Sequence, residues 1–200
     1  PTTIHPGIRY YLRYGTPHNA AGRVLYPSTM PCLVREPVAR KLAIAQDFLE
    51  QHGMGILIWD AYRPPEVQEA LWEFSGRAKG FVGDPSVGWS AHCCGTAVDV
   101  TIVDLRTGVP VPMPTDFDVF SVRSHAVYTG DDPVIRKNMR LLHMARDQAK
   151  LRFYRKEWWH FSDPDFHPLQ PEDVVFGMQI GIPFPGYSLR VSTPPKPARL

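Results

Sequence analysis

The run Ser90-Ala91-His92-Cys93-Cys94-Gly95-Thr96-Ala97-Val98-Asp99 constrains this chain more than any other stretch. From Ala97 to Asp104 the residues alternate, with Val98, Val100 and Ile102 on one side and Asp99, Thr101 and Val103 on the other. That is the period of a strand with one polar face. A carboxylate between two valines is poorly placed for solvent, so Asp99 requires a hydrogen bond, an ion pair or a metal. The fold must bring a partner to it, and Glu157-Trp158-Trp159-His160 offers one. Together the two segments hold two imidazoles and two carboxylates. A hydrolytic zinc site has three protein ligands, an open position for water and a base beside it. We read His92, Asp99 and His160 as ligands and Glu157 as the base.

The spacing permits this set without establishing it. Residues three apart on a flat strand point to opposite faces, so Glu157 and His160 share a site only through a bulge, strong twist or turn. The base need only reach the water, which relaxes the requirement. Cys93 and Cys94 are rival ligands, but adjacent side chains on extended backbone diverge, and buried small thiols are the simpler reading. His5, His18, His52, His143 and His167 have no partners at ligand spacing and are read as structural. A serine hydrolase around Ser90 lacks the Gly-x-Ser-x-Gly elbow.

The rest of the chain supplies a frame. Residues 1–35 are rich in Pro and Gly, with one short strand at Ile8–Leu12, and Tyr10, Tyr11 and Tyr14 are read as packing residues. Pro37 opens a helix in which Val38, Leu42, Ala45 and Leu49 recur at helical spacing, and Gly53 stops it. The apolar run Gly55–Trp59 reads as a buried strand emptying into Asp60-Ala61-Tyr62-Arg63-Pro64-Pro65, polar residues placed to line a cleft. A second helix carries Val67, Ala70, Leu71 and Phe74. Asp104–Gly108 reads as a hairpin loop into Val109–Val111. A loop of about twenty residues follows. Asp131 or Asp132 caps a third helix with Ile135, Met139, Leu142 and Ala145 inside. A short strand, Leu151–Tyr154, precedes Glu157–Phe161.

Composition excludes several classes. Two hundred residues suit one domain, and the net charge of +2 with no Lys/Arg run beyond two gives no nucleic-acid footprint. No apolar stretch approaches the ~20 residues of a membrane span. Three cysteines, two of them adjacent, do not make a disulfide framework, so free thiols and a cytoplasmic location are expected. The periplasm stays open, because the chain begins at Pro1 and a leader can have been removed. Oligomeric state is not legible.

Ser90-x-His92-x-x-Gly95-x-Ala97-x-Asp99, Glu157-Trp158-Trp159-His160 and Trp59-Asp60-x-Tyr62-Arg63-Pro64 resemble the D-alanyl-D-alanine dipeptidases of the VanX type. The similarity extends to Gly7-Ile8-Arg9, Tyr14, Pro112-Met113, Phe117-Asp118 and Arg123-Ser124-His125, in order from about residue 7 to 162. It implies a single α+β domain of the Hedgehog/D,D-carboxypeptidase type, with a central antiparallel sheet flanked by helices over residues 1–165. Residues 166–200 would be a Pro-rich extension, packed on the surface or partly disordered.

The resemblance also implies one Zn2+ on His92, Asp99 and His160, Glu157 as catalytic base and Arg63 as the transition-state arginine. Asp118 and Tyr14 fall where the family holds the substrate ammonium, and Ser90 beside the substrate. The implied reaction is hydrolysis of a small D,D-dipeptide, D-alanyl-D-alanine, in cell-wall metabolism. A peptidoglycan carboxypeptidase of the same fold is the alternative, and a non-catalytic zinc module a third. Cys93-Cys94 departs from a polar-basic pair common after the first ligand, and Lys150-Leu151 from a Gly-aromatic pair.

Overall fold

A computed structural model of the chain describes residues 1–175 and Gly177. Five strands and three α-helices follow in the order β1 (Arg9–Tyr10), α1 (Glu36–Glu50), β2 (Met54–Asp60), α2 (Pro65–Phe74), β3 (Ala97–Asp104), α3 (Pro133–Gln148), β4 (Arg152–Tyr154) and β5 (Glu157–Ser162). The sheet runs β1-β2-β3-β5-β4. It is antiparallel as expected except at its edge, where the two residues of β1 pair parallel with β2.

The helices form where apolar periodicity and chain punctuation agree. In α1, Val38, Leu42, Ala45 and Leu49 are buried, and Gly53 follows at φ 70°, a conformation that costs other residues. Asp132, not Asp131, caps α3: its carboxylate accepts the Val134 and Ile135 amides at 2.8 and 3.2 Å. Met139, Leu142 and Ala145 are buried, whereas Ile135 is only partly so. α1 packs on β2, α3 on β3, and the two helices on each other. They cover one face of the sheet, leaving the Asp99 side of β3 for other work.

Several expectations need correction. β3 is buried on both faces from Ala97 to Val103, so its polar side faces a covered site and not solvent. Tyr10 and Tyr11 are 52% and 53% exposed, because β1 is an edge strand; only Tyr14 of the three packs inside. Phe74 is 41% exposed at the end of α2, with the Arg23 guanidinium 4.0 Å above its ring. Val109–Val111 adds a bridge at Val103–Pro110 and no strand of its own.

The segment after β5 turns back on the domain. Arg35 Nη2 donates to the Asp173 carbonyl at 2.9 Å, Val175 N to the Cys93 carbonyl at 3.0 Å, and Tyr62 Oη to the Val175 carbonyl at 2.6 Å. The remainder of the proposed extension lies outside the described residues. Among the described residues, no helix is long and apolar enough to cross a membrane.

Candidate active site

Three elements converge on the polar side of β3. Asp99 lies on β3 and His160 directly across from it on β5. His92 comes from a single turn of 3-10 helix, Ala91–Cys94. That turn is set locally, since Ser90 Oγ accepts the His92 amide at 3.3 Å and Gly95 closes it at φ 67°. The Arg63 amide donates to the His92 carbonyl at 3.2 Å, which ties the end of β2 to this turn.

Irregularities in two strands complete the convergence. In β2, Ile58 pairs with Val100 and Asp60 with Asp99, so Trp59 is the extra residue of a bulge that swings Asp60 toward Asp99. In β5, Phe161 pairs with Phe153 but Glu157 pairs with Tyr154, a larger shift that breaks the two-residue period. This shift lets Glu157 and His160 face one site although they are three apart. Their side-chain atoms come within 3.9 Å, Glu157 Oε2 to His160 Nδ1.

The donor atoms make a nearly equilateral triangle. His92 Nε2 is 3.3 Å from Asp99 Oδ1 and 3.2 Å from His160 Nδ1, and His160 Nδ1 is 3.1 Å from Asp99 Oδ1. Zinc bonds of about 2.0–2.1 Å at the tetrahedral angle place ligand atoms roughly 3.3–3.4 Å apart. Two imidazole nitrogens and one carboxylate oxygen at that separation fit one face of such a tetrahedron. The tautomer agrees: His92 Nδ1 is 2.7 Å from the Ala61 carbonyl, which can only accept, so Nδ1 carries the proton and Nε2 keeps its lone pair.

Burial sets the charges. Asp99 sits where desolvation favours the neutral acid, yet His92 and His160 prevail and hold its carboxyl well below the usual range. Burial opposes a charge on His92, but Asp99 outweighs it and raises that imidazole. For His160 burial wins, and its pKa is lowered. Glu157 is raised well above an ordinary carboxylate by desolvation, with Asp99 and Asp118 adding repulsion. Burial pushes the Cys93 thiol up, and Cys94 to about 11, which keeps both as neutral thiols. Neither belongs to the ligand group.

Arg63 is held from three sides. Nε and Nη2 donate to Asp60 Oδ2 at 2.9 and 2.7 Å, Nη1 donates to Gln68 Oε1 at 2.8 Å, and the guanidinium lies 4.8 Å over the Tyr14 ring. Nη2 also stands 3.5 Å from Asp99 Oδ2. Asp60, expected in a cleft wall, is instead fully buried behind Arg63, where its Oδ1 accepts the Tyr26 hydroxyl at 2.5 Å. Asp118 adopts a left-handed φ of 58° and accepts the Ala20 amide at 3.1 Å. Desolvation pushes its carboxyl up to about 7, against the pull of Ala20 and Arg63.

All eight residues singled out from the sequence line one cavity of about 630 Å³: Tyr14, Arg63, Ser90, His92, Asp99, Asp118, Glu157 and His160. The same cavity is also lined by Lys79–Gly83, Phe120 and Tyr154, which sequence reasoning did not single out. Gln68, behind Arg63, was likewise not read as a site residue, since a buried polar residue beside an apolar helix stripe carries no local signal. His5, expected to be without partners, lies 3.1 Å from Asp47 and 4.0 Å from Glu50 of α1. Its Nδ1 accepts the Gly7 amide, so its other nitrogen donates to Asp47 and the group is satisfied by protein alone.

Comparison with known sequences gives the family. The profile of the D-ala-D-ala dipeptidase family, Peptidase_M15, matches residues 2–176. The D-alanyl-D-alanine dipeptidase of Escherichia coli (strain K12) is 31% identical over 161 residues, covering 80% of this chain and 81% of the relative. That of Enterococcus faecium is 27% identical over 176 residues, covering 78% and 85%. The enzyme of the same name from Streptomyces coelicolor is 27% identical over 173 residues. With the profile spanning nearly the whole described domain, the chain belongs to the D-Ala-D-Ala dipeptidase family of M15 peptidases and is a hydrolase.

Proposed function

We propose that the chain hydrolyses D-alanyl-D-alanine to free D-alanine with one zinc ion held by His92, Asp99 and His160. The triangle of donor atoms at 3.1–3.3 Å, with a Glu157 oxygen 3.9 Å from its His160 corner, carries this reading. The names of the relatives support the substrate. On this reading residues 1–165 are the catalytic domain and 166–200 an extension.

Zinc, when bound, supplies Lewis acidity toward a peptide carbonyl and toward water. Glu157 takes the proton of the attacking water and delivers it to the leaving amine, a role its place beside the His160 corner of the triangle suits. Arg63 has one N–H on each terminal nitrogen left over from its bonds to Asp60 and Gln68, and offers them to the developing oxyanion. Asp118, beside Tyr14, takes the substrate ammonium, whose charge favours the ionised carboxylate. Ser90 lies in the wall beside the substrate.

One observation favours a second reading. A cavity of 630 Å³ is the size that holds drug-sized ligands and exceeds what a dipeptide of two alanines fills. A peptidoglycan carboxypeptidase would use the same centre on a longer chain. Amine release from D-Ala-D-Ala, L-Ala-L-Ala and a pentapeptide ending in D-Ala-D-Ala separates the two. Turnover of the D,D-dipeptide alone is expected. Cleavage of the pentapeptide instead would move the assignment to a carboxypeptidase, and silence on all three with zinc bound would reject both.

A further inference from the structure

Gln68 is 0% exposed on α2, and its amide joins two parts of the site. Oε1 accepts from Arg63 Nη1 at 2.8 Å, and Nε2 donates to the Gly83 carbonyl at 2.8 Å. The amide orientation is forced, because a guanidinium cannot accept and a carbonyl cannot donate. Each end therefore has one job.

The Arg63 end supplies something Asp60 does not. Both Asp60 bonds converge on a single oxygen, Oδ2, so the guanidinium can rock about that atom within its plane. Gln68 pins the remaining nitrogen. The other end reaches the cavity lining at Gly83, and the lining around it is fastened in further places. Tyr154 Oη donates to the Gly80 carbonyl at 2.8 Å, and Phe81 stacks on Phe120 with centroids 5.0 Å apart. Lys156 Nζ lies 5.5 Å over the Phe81 ring. Of these fastenings, the one at Gly83 runs directly to Arg63.

We propose that Gln68 is a positioning residue that fixes Arg63 through Nη1 and ties its orientation to the cavity wall at Gly83. The role rests on the dipeptidase reading, in which Arg63 stabilises the developing oxyanion. It predicts that the two ends of the amide affect different kinetic parameters. Loss of the Arg63 bond lowers kcat, since the arginine acts in the transition state. Loss of the Gly83 bond raises KM, since Gly83 belongs to the lining of the cavity that would take the substrate.

Two variants separate the ends, with kcat and KM on D-Ala-D-Ala, affinity for a dipeptide phosphinate (a tetrahedral mimic) and thermal midpoint as readouts. Gln68→Met keeps length and loses both bonds. Its kcat is expected to fall about tenfold, phosphinate affinity to fall by a similar factor, and KM to rise. Gln68→Glu keeps the acceptor for Arg63 and loses the donor to Gly83. Its kcat is expected to stay within about threefold of wild type while KM rises.

Equal losses of kcat in the two variants, or an unchanged kcat in Gln68→Met, would overturn the proposal. Should Gln68→Met fail to fold, Gln68→Glu decides alone: raised KM at near-constant kcat supports the role, and lost kcat at constant KM overturns it. Wild-type protein silent on D-Ala-D-Ala would instead overturn the dipeptidase reading, and this role with it.

Discussion

At the scale of single residues, the site separates ligands from base by distance. His92, Asp99 and His160 present atoms within 3.3 Å of one another, while the nearest Glu157 oxygen stands 3.9 Å from the His160 nitrogen. A group outside the triangle can be neutralised without dismantling it. Glu157→Gln, which keeps shape and removes the base, is expected to lower kcat by about 10²–10⁴ while zinc still binds one per chain. Metal analysis beside the kinetics checks this, and zinc lost with activity would make Glu157 a ligand. His92 shows why a residue alone says little: its tautomer is set by the Ala61 carbonyl, which adjoins it only after folding.

At the scale of elements, the sheet does the assembling and the helices support it. β3 and β5 bring Asp99 and His160 face to face, and the bulges in β2 and β5 aim Asp60 and Glu157. α3 packs on β3 and α1, and no residue of α3 lines the cavity. Stability and activity should therefore come apart there. Asp132→Ala removes the acceptor for two amides at the start of α3 and is expected to cost about 1 kcal/mol. For a domain of this size that lowers Tm by about 2–4 °C, with kcat and KM unchanged. Calorimetry and the dipeptide assay together test it, and a fall in kcat would mean that α3 reaches the site through the sheet.

At the scale of the molecule, the core and the centre are adjacent but separate. Trp158 and Trp159 are 0% and 1% exposed between Glu157 and His160, and Val98 and Val100 flank Asp99 with the same degree of burial. The centre is therefore mounted on a packed core, which is expected to keep its fold when the ion is removed. Chelation is expected to abolish turnover and lower Tm by about 5–10 °C, the linkage expected when the ion is present at about a hundred times its Kd. Far-ultraviolet circular dichroism should not change. Collapse of that signal on chelation would mean that the ion holds the fold itself.

The sequence by itself determined the helices, the two central strands and the residue types of the centre. These rest on short-range rules: apolar period in α1 and α3, an apolar run in β2, alternation in β3, and turn residues such as Gly53 and Gly95. It also marked Asp99 as a carboxylate in need of partners, because two valines flank it. The tertiary structure alone decided how those residues meet. Glu157 and His160 share a site because pairing with β4 shifts β5 out of its two-residue period, and no local pattern encodes that shift. Asp60 lies behind Arg63 because a bulge opposite Asp99 turns it inward. Gln68 ties the arginine to Gly83, which lies fifteen residues beyond Gln68 in the chain. Each depends on register and contact between distant segments, which the chain acquires only when its sheet closes around the buried charges.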